Sequence, residues 1–174
     1  MSPTSASISV AVGDHFACIK IAGRANFNSS IDFKILVNEL GQRGCRCFLL
    51  DLSDCVLMDS TFLGVLAGFG LKLRGGNGDG VQPGLELYNP NPRILDLLET
   101  LGVLHLFKVT SGALAPPAGA GSIEQTTSQP GKAEVTLTCL EAHQTLMDLN
   151  PANAAKFKDV AQFLAENLKK ITPP

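Results

Sequence analysis

Apolar and polar positions alternate with two different periods along this chain. Residues 16–22, FACIKIA, alternate around Phe16, Cys18 and Lys20, the period of a half-buried strand. Ile8 to Val12 offers a hairpin partner, Gly13-Asp14 the turn between them, and Gly23 the end of the second strand. From Ser29 or Ser30 onward, Ile31, Ile35, Leu36 and Leu40 recur at helical spacing, with serines to cap the start and Gly41 to close the end. Cys45 to Leu52 is nearly continuous in apolar residues after Arg46, which predicts a strand buried on both faces. Asp51 to Met58 leads into a second helix carrying Leu63, Leu66, Ala67, Gly70 and Leu71 on one side. The glycine-rich stretch from Arg74 to Gly84 is a loop, and Leu85, Leu87 and Tyr88 form a strand. Asn89-Pro90-Asn91-Pro92 then launches a helix from Arg93 to Leu101, striped by Ile94, Leu97, Leu98 and Leu101 and stopped by Gly102. Val103 to Val109 is the last strand of the series.

The order β-β-α-β-α-β-α-β predicts an α/β domain over residues 8–110. Its mixed, partly parallel sheet of about five strands is covered by helices. At Ser111 the composition changes to Ala, Gly, Pro, Ser, Thr and Gln, so residues 111–132 read as a flexible linker. Helical spacing resumes over 133–172. Leu137, Leu140, Leu146 and Leu149 precede an Asn150-Pro151 break, and Phe157, Val160, Ala161, Phe163, Leu164 and Leu168 follow it. This helical hairpin tail can dock on its own domain, or on a second copy to make a homo-oligomer.

Composition narrows the function classes. With 45% hydrophobic and 17% charged residues in 174, the chain has enough apolar matter for a core that needs no metal or disulfide. A net charge of −2 gives no electrostatic footprint for nucleic acid, and no basic cluster marks a membrane surface. The apolar runs are too short and too interrupted to span a bilayer, and Met1 to Ser9 lacks the order of a signal peptide. A cytoplasmic protein is expected. The five cysteines, Cys18, Cys45, Cys47, Cys55 and Cys139, read as small buried hydrophobes, and Cys45-x-Cys47 has no second ligand pair to make a zinc site. No cofactor is expected.

The chemistry concentrates in Asp51-Leu-Ser-Asp-Cys-Val-Leu-Met-Asp-Ser-Thr-Phe-Leu-Gly64. A strand ends in a polar turn, and Asp59-Ser60-Thr61 stands directly before a helix, where side-chain oxygens can cap free N–H groups. A hydroxyl in that place is also where an added phosphate would meet N–H donors, the positive end of the dipole and the Asp59 carboxylate.

This segment resembles the defining motif of STAS domains, found in anti-sigma factor antagonists and in the cytoplasmic tails of sulfate transporters. The resemblance runs from about residue 8 to residue 110, through the strand ending D-L-S, the M-D-S-T before the helix and the N-P-x-x-x-x-L-L-x-x-x-G helix ending at Gly102. It implies that Ser60, or Thr61 in second place, is phosphorylated by a partner serine kinase that also acts as an anti-sigma factor. A phosphatase would reverse the modification. It further implies a partner surface of Asn26, Asp54, Asp59, Ser60, Thr61 and Phe62. Phe62 stands where the family usually has glycine, and Gly23-Arg24-Ala25-Asn26 lacks the acidic residue often found after the second strand. The alternative is a constitutive scaffold in which Ser60 is only a helix cap. An enzyme is not expected: His15, His105 and His143 adjoin no candidate nucleophile in the sequence, and the Gly75–Gly80 loop lacks the order of a phosphate-binding loop.

Overall fold

The first hairpin is set by three residues. Gly13 N–H donates to Phe16 O at 2.8 Å, and His15 adopts φ +63°, which joins strand β1 (Ser7–Val12) antiparallel to β2 (Phe16–Ala25). The structure is a computed structural model that describes residues 6–74, 84–113, 121–124 (backbone alone) and 130–171. Most of the loop expected over 74–84, and much of the expected linker, lie outside those residues.

After β2 come α1 (Phe27–Gln42), β3 (Cys47–Asp51), β4 (Cys55–Met58), α2 (Ser60–Arg74), β5 (Gly84–Tyr88) and α3 (Pro92–Thr100). A single 3-10 turn (Leu104–Leu106), β6 (Lys108–Thr110), β7 (Gly121–Glu124), α4 (Lys132–Leu149) and α5 (Asn153–Ile171) complete the described chain. Among the described residues the sheet has seven strands in the order β6-β5-β3-β2-β1-β7, with β4 also paired to β2. The steps β2–β3, β2–β4, β3–β5 and β5–β6 are parallel, and β1 pairs antiparallel with both β2 and β7. The fold is thus α/β with a mixed, mostly parallel sheet.

Several elements differ from the expectation. Cys45–Leu52 is not buried on both faces. Phe48 and Leu50 are buried, whereas Cys47, Leu49 and Asp51 are half-buried. The strand order explains this: each parallel step from β2 to β3 to β5 moves the same way across the sheet, so right-handed crossovers return α1 and α2 on one face. That face holds Ile8, Val10, Ala17, Ile19, Ile21, Phe48, Leu50, Leu85 and Leu87 against Phe33, Leu36 and Val37 of α1 and Phe62, Leu63 and Leu66 of α2. Cys55–Met58, read as part of a turn, is a strand because β2 outruns β3. Residues 16–20 of β2 pair with β3, and residues 23–25 remain free to pair with β4. Val103–Val109 is split, with Val103, Leu106 and Phe107 buried around the 3-10 turn before β6 begins. Within the segment read as a linker, Gly121–Glu124 adds an antiparallel strand to β1.

The C-terminal helices pack on the domain itself. Leu146 belongs to the same buried cluster as the sheet residues, and Phe157 packs against it. Asn153, fully buried, donates to Leu101 O at 2.9 Å and to Leu146 O at 2.8 Å, which fixes the α4–α5 turn to the end of α3. Leu137, placed on the expected apolar stripe, is instead exposed, as are Val160 and Phe163. No described helix is long and apolar enough to cross a membrane.

Cys55 shows how the core treats its thiols. Burial pushes its pKa up to about 11, so at neutral pH roughly one part in ten thousand is thiolate. In the native protein Cys55 should therefore resist iodoacetamide until the chain is unfolded by urea; mass spectrometry reads this directly, and fast native alkylation would refute the packing around β4.

Candidate functional site

Two helices begin side by side. Met58 ends β4 opposite Ala25, the last residue of β2, and Asp59 N–H donates to Ala25 O at 2.9 Å. The chain enters α2 beside the point where it enters α1. Asn26 caps α1, accepting from Asn28 N–H at 3.1 Å and Ser29 N–H at 3.2 Å, and the Ser29 hydroxyl closes the reciprocal bond to Asn26 N–H. Asp59 Oδ1 accepts the Phe62 N–H at 2.8 Å, and its carboxylate also takes N–H groups from Phe27 and Thr61. One carboxylate thus gathers donors from the N-termini of both helices.

Burial raises the Asp59 pKa, and the three N–H groups it accepts offset only part of that rise. Because the folded pKa lies above the unfolded one, the stability contributed by this side chain is greatest in acid, below the unfolded pKa. It declines as pH rises through the folded pKa. Asp59→Ala should cost about 1 kcal/mol through the lost cap. The gap to wild type should be widest in acid and narrow as pH rises, as read by urea titrations at several pH values. A gap that widens with pH would contradict the desolvated setting of Asp59.

Asp59, and not Ser60, is therefore the cap of α2. The cap role given to Ser60 in the scaffold alternative thus falls to its neighbour. Nor is Ser60 freely exposed. It is half-buried, and its Oγ lies 2.9 Å from His143 Nε2 on α4. His143 is 5% exposed, and its Nδ1 sits 2.6 Å from Cys139 O. That carbonyl can accept only from a protonated Nδ1, which leaves Nε2 of the neutral ring to accept the serine hydroxyl. The imidazole also packs on Phe157, ring centroids 5.0 Å apart.

Further contacts continue along the same two helices. The buried Thr61 hydroxyl hydrogen-bonds the Cys139 thiol, whose pKa burial raises. Gly64 lies so close beneath Ala142 that a Cβ there would come within 2.4 Å of the Ala142 carbonyl oxygen. On the α1 side, Lys34 reaches Glu141 at 3.4 Å. α4 therefore packs along α2 and reaches α1 through Glu141, with a cavity of about 210 Å³ left between the three helices.

Of the residues expected at a partner surface, Asn26, Asp59 and Ser60 come together; Thr61 adjoins them but is buried, with its hydroxyl on Cys139 of α4. Phe62 does not join them: it is fully buried with its ring 5.2 Å from that of Phe33, because the third position of α2 faces the sheet. Asp54 is also elsewhere, ion-paired at 2.8 Å with Lys20 at the opposite end of β4. His143, Cys139, Ala142 and Gly64 were not expected at the site. Their sequence signal is a run of small residues, Gly64 and Gly68 on α2 against Cys139 and Ala142 on α4. Among the described residues no cluster of three His, Cys, Asp or Glu side chains is arranged to hold a metal ion.

No family model and no curated protein matches this sequence. Solved structures do match its fold. A putative anti-sigma factor antagonist from Thermotoga maritima is 21% identical with a TM-score of 0.52, over 60% of this chain and 86% of that one. An anti-sigma factor antagonist from Mycobacterium paratuberculosis is 16% identical with a TM-score of 0.51, over 62% and 87%. The chain therefore shares the STAS-like fold of these proteins.

Proposed function

We propose that this chain is a non-enzymatic signalling switch of the anti-sigma factor antagonist kind. Unmodified, with α4 docked, it binds a protein partner through the surface around Asn26 and Asp59, beside Ser60; phosphorylation of Ser60 ends that contact. The observation that carries the reading is the division of labour at the start of α2. Asp59 does the capping, so the Ser60 hydroxyl is not consumed by the helix and can be modified without unwinding it. A phosphate there adds a charge of about −1.5 to −2 beside a carboxylate, which repels an acidic or apolar partner while the sheet stays intact. The shared fold supports the same reading, as does the D-S-T placed at the turn into α2.

The Ser60–His143 pair suggests a second reading, acyl transfer with serine as nucleophile and histidine as base. Two features weigh against it. The buried His143 packs Ser60 against α4, and the Thr61 and Phe62 N–H groups beside it, the nearest oxyanion donors, are already bonded to Asp59.

The test is a pull-down from the cells that make the protein, with wild type, Ser60→Ala and Ser60→Asp as baits. Ser60→Ala should retain the partner and carry no phosphate at this position; Ser60→Asp should lose it. Equal recovery by all three baits would leave a constitutive scaffold. Modification at Thr61 would keep the mechanism and move the residue by one.

A further inference from the structure

Taking Ser60 as the modified residue, as proposed above, its surroundings bear on what the phosphate does to the chain itself. We infer that the α4–α5 hairpin is a cover over the switch: docked α4 and a phosphate on Ser60 exclude each other, so that modification releases the hairpin.

The geometry leaves no room for both. The Ser60 hydroxyl meets His143 Nε2 at 2.9 Å, so a phosphoryl group on Oγ would need the volume the imidazole now occupies. The ring is not free to swing aside. It is buried, bonded through Nδ1 to Cys139 O at 2.6 Å and packed on Phe157. α4 cannot yield locally either. Cys139, Ala142 and His143 share one side of the helix and touch Thr61, Gly64 and Ser60 in turn, so making room at Ser60 moves the helix as a body.

Charge works in the same direction. The phosphate would stand beside Asp59, and of the cations on the facing elements Lys34 is already engaged by Glu141. A protonated His143 would offset part of the new charge without creating space for it. Conversely, a docked α4 shields the hydroxyl from a kinase. The hairpin thus makes phosphorylation conditional on its own opening, and the phosphate then holds it open. The far end, anchored by Asn153 to Leu101 O, yields last.

The experiment uses the full-length chain with phosphoserine incorporated at position 60 during translation, compared with the unmodified chain by hydrogen–deuterium exchange. Amides of 136–147 should exchange about tenfold faster or more in the phosphorylated chain, while those of β2 and β3 stay protected. Gly64→Ala, which pushes α4 away without adding charge, gives the exchange of an undocked helix for calibration. Unchanged protection of α4 in the phosphorylated chain would overturn the inference, and so would loss of protection throughout the sheet. No kinase or partner enters this measurement. It can therefore fail while Ser60 is found phosphorylated in cells, and succeed when it is not.

Discussion

Replacing Phe62 with alanine should lower the stability of the folded chain by about 3–5 kcal/mol. The ring is fully buried between α1 and α2 and begins a line of aromatic contacts into the sheet. Phe62 lies 5.2 Å from Phe33, Phe33 lies 6.1 Å from Phe69 in edge geometry, and Phe69 lies 4.8 Å from Phe48 of β3. Its loss opens a cavity at the join of both helices and the sheet, which a rigid backbone cannot collapse to fill. Glycine, the residue usual in STAS domains at this point, should cost more here, because it also weakens the first turn of α2. Chemical denaturation followed by circular dichroism would measure both. A change below 1 kcal/mol for either variant would mean that the ring is not seated as described.

Leu146→Ala should cost the docked state about 2–5 kcal/mol. This leucine is fully buried in the cluster that contains the sheet residues, although it lies beyond the segment read as a linker. The denaturation midpoint should fall, and exchange across 132–149 should rise. A midpoint unmoved while α4 loosens would make residues 133–172 an appendage with no part in the main folding transition. By contrast Phe163, 65% exposed on α5, should tolerate alanine with little loss.

These two positions mark how far the sequence could be read. The period-two run at Phe16–Ala22 and the stripes of α1 and α3 reported their elements because each buries one side in the core, although Ile35, counted in the α1 stripe, is exposed. β4 was illegible. A strand of four residues after a polar turn exists only because β2 extends past β3, a non-local fact. Cys45–Leu52 misled for a related reason: its outward residues are apolar yet half-exposed, since the crossovers all fall on the other face. At the site, D-S-T before a helix pointed to the right turn. It could not assign the cap, because Asp59 and Ser60 are equally competent hydrogen-bond acceptors for the N–H groups of a helix start. Phe62 was drawn into the partner surface by adjacency in sequence, whereas three residues of a helix turn through most of a circle. His143 stands 83 residues from Ser60, and no spacing rule reaches that far. The glycines of α2 at positions 64 and 68 were the one available hint that another backbone lies close.

Phosphate at residue 60 is proposed to govern the partner contact. The most direct measurement separates free from partner-bound protein in lysate of the cells that make it, and quantifies phosphate on the Ser60 peptide in each pool by mass spectrometry. Phosphate should be found at Ser60 in the free pool and be nearly absent from the bound pool. Equal occupancy in both pools, or none at Ser60 in either, would contradict that role.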